Sequence, residues 1–75
     1  MSTWGERLKQ LRKENNLTLK SLSNELNVTE RMVQYYEANR SEPSVSVIKS
    51  ACKHFNVSSD YLLGLSDERT NLRVN

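Results

Sequence analysis

Residues 18–38 read TLKSLSNELNVTERMVQYYEA. Two helical periodicities meet in this stretch with almost nothing between them. Leu19, Leu22 and Leu26 fall on one face of a helix ending near Leu26. Thr18 stands just before it, where a hydroxyl accepts from a free backbone N–H. Ser21 occupies the place a full capping box gives to Glu or Gln, so that box is incomplete. Met32, Val33 and Tyr36 form the apolar side of a second helix reaching about Ala38. Thr29 is its N-cap, and Glu30 in its first turn matches the helix dipole. The join is Asn27-Val28-Thr29, and Asn27 accepts a left-handed backbone. So short a turn forces a steep crossing. Ser23 lets the backbones approach and Val33 fills the space between the helices.

The flanks repeat the pattern. Trp4, Leu8 and Leu11 fall at i, i+4 and i+7 among Glu6, Arg7, Lys9, Lys13 and Glu14, which predicts a surface helix over roughly Thr3 to Asn15. Asn15 and Asn16 suit its end. After a loop from Asn39 to Pro43, Ser44 caps a fourth helix whose apolar stripe is Val45, Ile48, Cys52 and Phe55, with Ala51 beside it. Asn56-Val57 is a short break. Ser58 caps a last helix with Asp60 in its first turn and Tyr61, Leu62, Leu63 and Leu65 as its apolar content. The expected fold is all-α, a compact bundle of five short helices. Residues 1–66 form one domain, and 67–75 form a flexible tail with little to bury. Residues 18–38 carry the helix-turn-helix.

Composition narrows the functions. A chain of 75 residues supports one small domain. No apolar run is long enough for a membrane span, and the N-terminus lacks a secretory apolar region. A single cysteine, Cys52, makes no internal disulfide and suggests a reducing compartment, the cytoplasm. It lies on an apolar stripe and reads as a small buried hydrophobe; His54 reads as a surface histidine. One Cys and one His do not make a metal site, and no nucleophile–base pair or phosphate loop suggests an enzyme. No cofactor is expected. The net charge is only +2, and residues 1–41 carry seven bases to five acids, so attraction to a polyanion lies in the first half.

RLKQLRKENNLTLKSLSNELNVTERMVQYYEANRSEPS, followed by IKSACKHFNVSSDYLLG, resembles the XRE family, whose members include the lambda and 434 phage repressors and Cro proteins. The resemblance runs from about Glu6 to Gly64. It rests on an ordered set: Leu-x-x-Leu-Arg, Leu17-Thr18, the turn at Asn27, Val33, Tyr36-Glu37, Pro43-Ser44, and Asn56-Val57-Ser58 before Tyr61-Leu62-Leu63-Gly64.

It implies a lambda-repressor-like bundle whose third helix, about 29–38, enters the DNA major groove. Glu30, Arg31, Gln34 and Tyr35 then occupy the base-reading face. Arg pairs with guanine O6 and N7, and Gln with adenine. Glu30 either accepts from cytosine or holds Arg31 in place; Tyr35 either packs on a thymine methyl or bonds a phosphate. Thr18 and Lys20 at the second helix, Thr29, and Asn39, Arg40 and Ser41 after the third are the implied phosphate contacts. Arg12 and Glu37 match a pair that bridges the first and third helices in some relatives.

The chain departs from the family in two places. Leu19 stands where Gln commonly starts the second helix, so one phosphate contact is lost or passes to Lys20. Asn39 stands where Gly usually ends the third. The implied function is a sequence-specific double-stranded DNA-binding transcriptional regulator, a phage- or prophage-type repressor. It would be a homodimer on a palindromic operator, pairing through the Leu62–Leu65 end. The alternative is an antitoxin or adaptor that binds a partner protein, with DNA binding secondary.

Overall fold

The computed structural model describes residues 3–69. Its helices are α1 (Trp4–Glu14), α2 (Leu19–Leu26), α3 (Glu30–Glu37), α4 (Val45–Phe55) and α5 (Ser59–Leu62), with no strand among the described residues. One device starts all of them. Thr3, Thr18, Thr29, Ser44 and Ser58 sit in extended backbone, and each hydroxyl oxygen accepts the N–H three residues on. At α1 the box is complete. Glu6 accepts from both the backbone N–H and the hydroxyl of Thr3. These bonds, the backbone N–H first, hold the Glu6 carboxyl below its ordinary pKa.

A second device ends four of them. Asn16, Asn27, Asn39 and Asn56 have φ of 57°, 58°, 58° and 56°. Past each, the next N–H reaches back to the carbonyl five residues earlier: Leu17 to Arg12, Val28 to Ser23, Arg40 to Tyr35 and Val57 to Cys52. Otherwise orphaned carbonyls are satisfied and the chain turns sharply without glycine.

With caps this tight, the helices are held apart in direction and meet only through their apolar faces. α2 packs on α3 and α4, α1 packs on α3 and α5, and α4 packs on α5. Leu8, Leu22, Val33, Ala51 and Leu62 are fully enclosed at the centre. Burying each of the larger ones is worth about 1.5–3 kcal/mol. Ser23 is buried as expected, its hydroxyl donating to the Lys20 carbonyl.

Four expectations change. On α4 the buried pair is Val47 and Ala51, while Val45 is 67% exposed. At 100° per residue Val45 lies about 160° around the helix from Val47, on the far edge of the stripe. Leu65 is also exposed and follows the end of α5, so of the Leu62–Leu65 end Leu62 belongs to the core. Arg7 is buried rather than on the surface. It follows Trp4 by three residues and precedes Leu11 by four, so its stem runs along the apolar face. Its guanidinium donates to the carbonyls of Tyr61 (3.3 Å) and Ser66 (3.2 Å) and to Asp67 (2.8 Å), and lies 4.1 Å from the Tyr61 ring centroid. A charge can be enclosed there because its N–H groups are satisfied.

Finally, residues 67–69 are engaged with the bundle. Arg69 pairs with Glu14 through two 2.7 Å bonds, and its carbonyl accepts from the Ser58 N–H at 2.6 Å. Residues 70–75, the rest of the expected tail, lie outside the described residues.

Candidate nucleic-acid interface

α3 has two unlike sides. Val33 and Tyr36 are buried and Met32 is half-buried, facing the bundle. Glu30, Arg31, Gln34 and Tyr35 are exposed. The adjacent tyrosines divide cleanly: Tyr36 is 4% exposed and Tyr35 37%. Neither Glu30 nor Arg31 belongs to an ion pair among the described residues. The four side chains that the resemblance assigned to base reading therefore share one outward face, with their polar groups available.

Two locks fix α3 against α1. Arg12 donates to Glu37 through Nε (2.6 Å) and Nη2 (3.1 Å), and through Nη1 to the Leu17 carbonyl (3.1 Å). The side chains of the pair are only 14% and 8% exposed. At the other end of α1, Trp4 packs edge-on against Tyr36, with centroids 5.1 Å apart, and its indole N–H donates to the Ser41 carbonyl (3.4 Å). The Gly5 N–H donates to Asn39 Oδ1 (3.1 Å), and Asn39 Nδ2 donates to Thr3 Oγ1 (2.9 Å). A Cβ at Gly5 would lie 2.3 Å from the Tyr36 carbonyl oxygen. Helix contact this close requires glycine.

These contacts sort the residues assigned to phosphate. Lys20 and Arg40 are exposed and Ser41 is half-exposed, outside any ion pair among the described residues. Thr18 and Thr29 use their hydroxyl oxygens as helix caps, yet stand at helix starts, where the first backbone N–H groups have no carbonyl partner within the helix. The Asn39 side chain is committed to Gly5 and Thr3, so it acts by holding the loop after α3 rather than by reaching outward.

Sequence reasoning missed Gly5 and this use of Asn39. The only hint was a glycine inside a helical pattern, which signals a close approach without naming the partner. A shallow depression of about 300 Å³ lies where three helices meet, lined by Lys9 and Arg12 of α1, Leu19 of α2, and Gln34 and Glu37 of α3 with Ala38 after it. The described residues hold no group of three His, Cys, Asp or Glu suited to a metal ion. No helix among them is long and apolar enough to cross a membrane.

Comparison with known proteins places this geometry. The helix-turn-helix family model matches residues 8–62. The chain is 34% identical over 74 residues to YobD, an uncharacterized HTH-type transcriptional regulator of Bacillus subtilis (strain 168). That match takes in 91% of this chain, which spans 66% of YobD's length. Among solved structures, the P22 c2 repressor in complex with a synthetic operator superposes with a TM-score of 0.82 over 88% of this chain and all of that one. At 24% identity this shows the shared fold. SinR, the master regulator for biofilm formation, in complex with DNA, has a TM-score of 0.73 at 29% identity, over 81% of this chain and 98% of that one. With its five capped helices, its tight α2–α3 turn and a family match over most of its length, the chain belongs to the XRE family of helix-turn-helix domains.

Proposed function

We propose that the chain is a sequence-specific double-stranded DNA-binding transcriptional regulator of the repressor type, reading the major groove with α3. Residues 1–66 carry its DNA-binding domain, with 67–69 fastened to it through Arg7–Asp67 and Arg69–Glu14. The observation that carries this reading is the outward face of α3, where Glu30, Arg31, Gln34 and Tyr35 are exposed together on a helix locked from behind by Arg12–Glu37 and by the Asn39 contacts. Donors and acceptors held on a rigid helix are what base-edge recognition requires. Lys20, Arg40 and Ser41, with the N-termini of α2 and α3 behind Thr18 and Thr29, fix the register on phosphates. One such module makes few base contacts, so it binds as a homodimer on a palindrome, with reading helices about 34 Å apart.

The test is selection from a random-sequence duplex pool. Enrichment of an inverted repeat is the expected result; no enrichment by folded protein would move the reading to a partner-binding role.

On the selected site, Arg31→Ala loses about 1–3 kcal/mol and relaxes preference at one base position. Equal weakening on every duplex would remove Arg31 from base reading. Lys20→Ala weakens all sequences alike and makes the salt slope shallower by about one. An unchanged slope would take Lys20 out of the phosphate set.

A further inference from the structure

The charges around α1 are distributed unequally. Four carboxylates on or beside α1 are engaged. Glu6 is folded back onto Thr3. Glu14 is held by Arg69 and Gln10. Glu37 is held by Arg12, and Asp67 by Arg7. Lys9 is exposed and joins no ion pair among the described residues. It is the cation left uncompensated in the depression it shares with Leu19, Gln34 and Ala38, because Arg12 and Glu37 neutralise one another.

The place of that depression matters. Leu19 is the first residue of α2, next to its cap Thr18. Gln34 lies on the outward side of α3, and Ala38 leads into Asn39 and Arg40. The hollow thus joins the start of α2 to the end of α3, the two places from which phosphate contacts are proposed. Leu19 brings no polar group to it. A backbone phosphate seated there would find a single mobile ammonium within the same lining.

We propose that Lys9 of α1 is a further DNA phosphate contact, supplying across the α1–α2–α3 depression a contact that Leu19 cannot make. This rests on the DNA-binding reading above and adds α1 to the interface. A lysine suits the role because its ammonium is a point charge on a flexible stem and needs no fixed geometry.

The test compares Lys9→Gln with Lys53→Gln. Both remove one positive charge. Lys53 lines a different depression with Glu25, Ser50 and His54, so it controls for net charge alone. Both residues are exposed and helical, and the thermal midpoint of each variant verifies folding. Binding is measured against salt on the best-enriched duplex of a random-sequence selection and on an unselected mixed-sequence duplex.

The expected result is that Lys9→Gln lowers the salt slope by about one and weakens binding several-fold on both duplexes at low salt. Lys53→Gln leaves the slope unchanged, and Lys9→Arg restores it. An unchanged slope for Lys9→Gln, or equal losses for both lysines, would overturn the assignment while leaving the DNA-binding reading intact. Absence of salt-dependent duplex binding by the unmutated chain would overturn that reading and the Lys9 contact with it.

Discussion

Glu37→Ala lowers the thermal midpoint by roughly 12–24 °C, on the rule that 1 kcal/mol shifts a domain of this size by about 4–8 °C. Removing one partner of an enclosed ion pair costs about 3–5 kcal/mol, because the other charge is left desolvated. The Arg12–Glu37 side chains keep 14% and 8% of their exposure. The lower end of that range, about 3 kcal/mol, is therefore expected. Stability per residue in small domains is about 0.05–0.15 kcal/mol, so a loss of this size is a large share of the whole. Arg12 would keep its bond to the Leu17 carbonyl but lose both carboxylate bonds. Thermal denaturation followed by circular dichroism checks this. The double variant Arg12→Met, Glu37→Leu should lose less than Glu37→Ala, since it leaves no charge behind. A midpoint within a degree or two of the parent would mean that the pair is open to water.

Gly5→Ala is the second large effect, and propensity alone predicts the opposite sign. Alanine in place of glycine inside a helix is favourable by about 1 kcal/mol. Here the added methyl would meet the Tyr36 carbonyl oxygen at 2.3 Å and Asn39 Oδ1 at 2.7 Å. The first is backbone of α3 and cannot swing aside. α1 must move away, weakening the Trp4–Tyr36 contact and the Gly5–Asn39 bond together. Overpacking of this kind costs about 1–3 kcal/mol or more, and we expect a net loss of about 2 kcal/mol. The midpoint should fall by about 10 °C. Adding Asn39→Ala would remove one obstacle but not the carbonyl, so it should not rescue the variant. A Gly5→Ala protein more stable than its parent would show that α1 and α3 do not approach this closely.

What could be read from the sequence was local chemistry. Thr18, Thr29, Ser44 and Ser58 are legible as caps because a hydroxyl acts on an N–H three residues away. Asn27 is legible because few side chains tolerate its backbone, and the Leu19–Leu22–Leu26 and Val33–Tyr36 faces because periodicity marks burial. The outward position of Arg31, Gln34 and Tyr35 followed from the same arithmetic. Interactions set by distant partners were hidden. Arg7 resembles any surface arginine until Tyr61, 54 residues on, offers its carbonyl and ring. Asn39 resembles a loop residue free for phosphate until Gly5 and Thr3, over 30 residues earlier, take both ends of its amide. Val45 and Val47 both fit an apolar helix, and only packing against α2 and α5 decides between them.

The position of Trp4 carries a practical consequence. It is the chain's single tryptophan, set against the buried side of α3 and bonded to the carbonyl of Ser41 in the loop beyond it. The molecule therefore holds a built-in fluorophore directly behind the surface proposed to meet DNA. Its emission is expected to respond to movement of α3 or of that loop, so the proposed DNA binding and loosening of the α1–α3 contact are open to an optical test on the unlabelled protein.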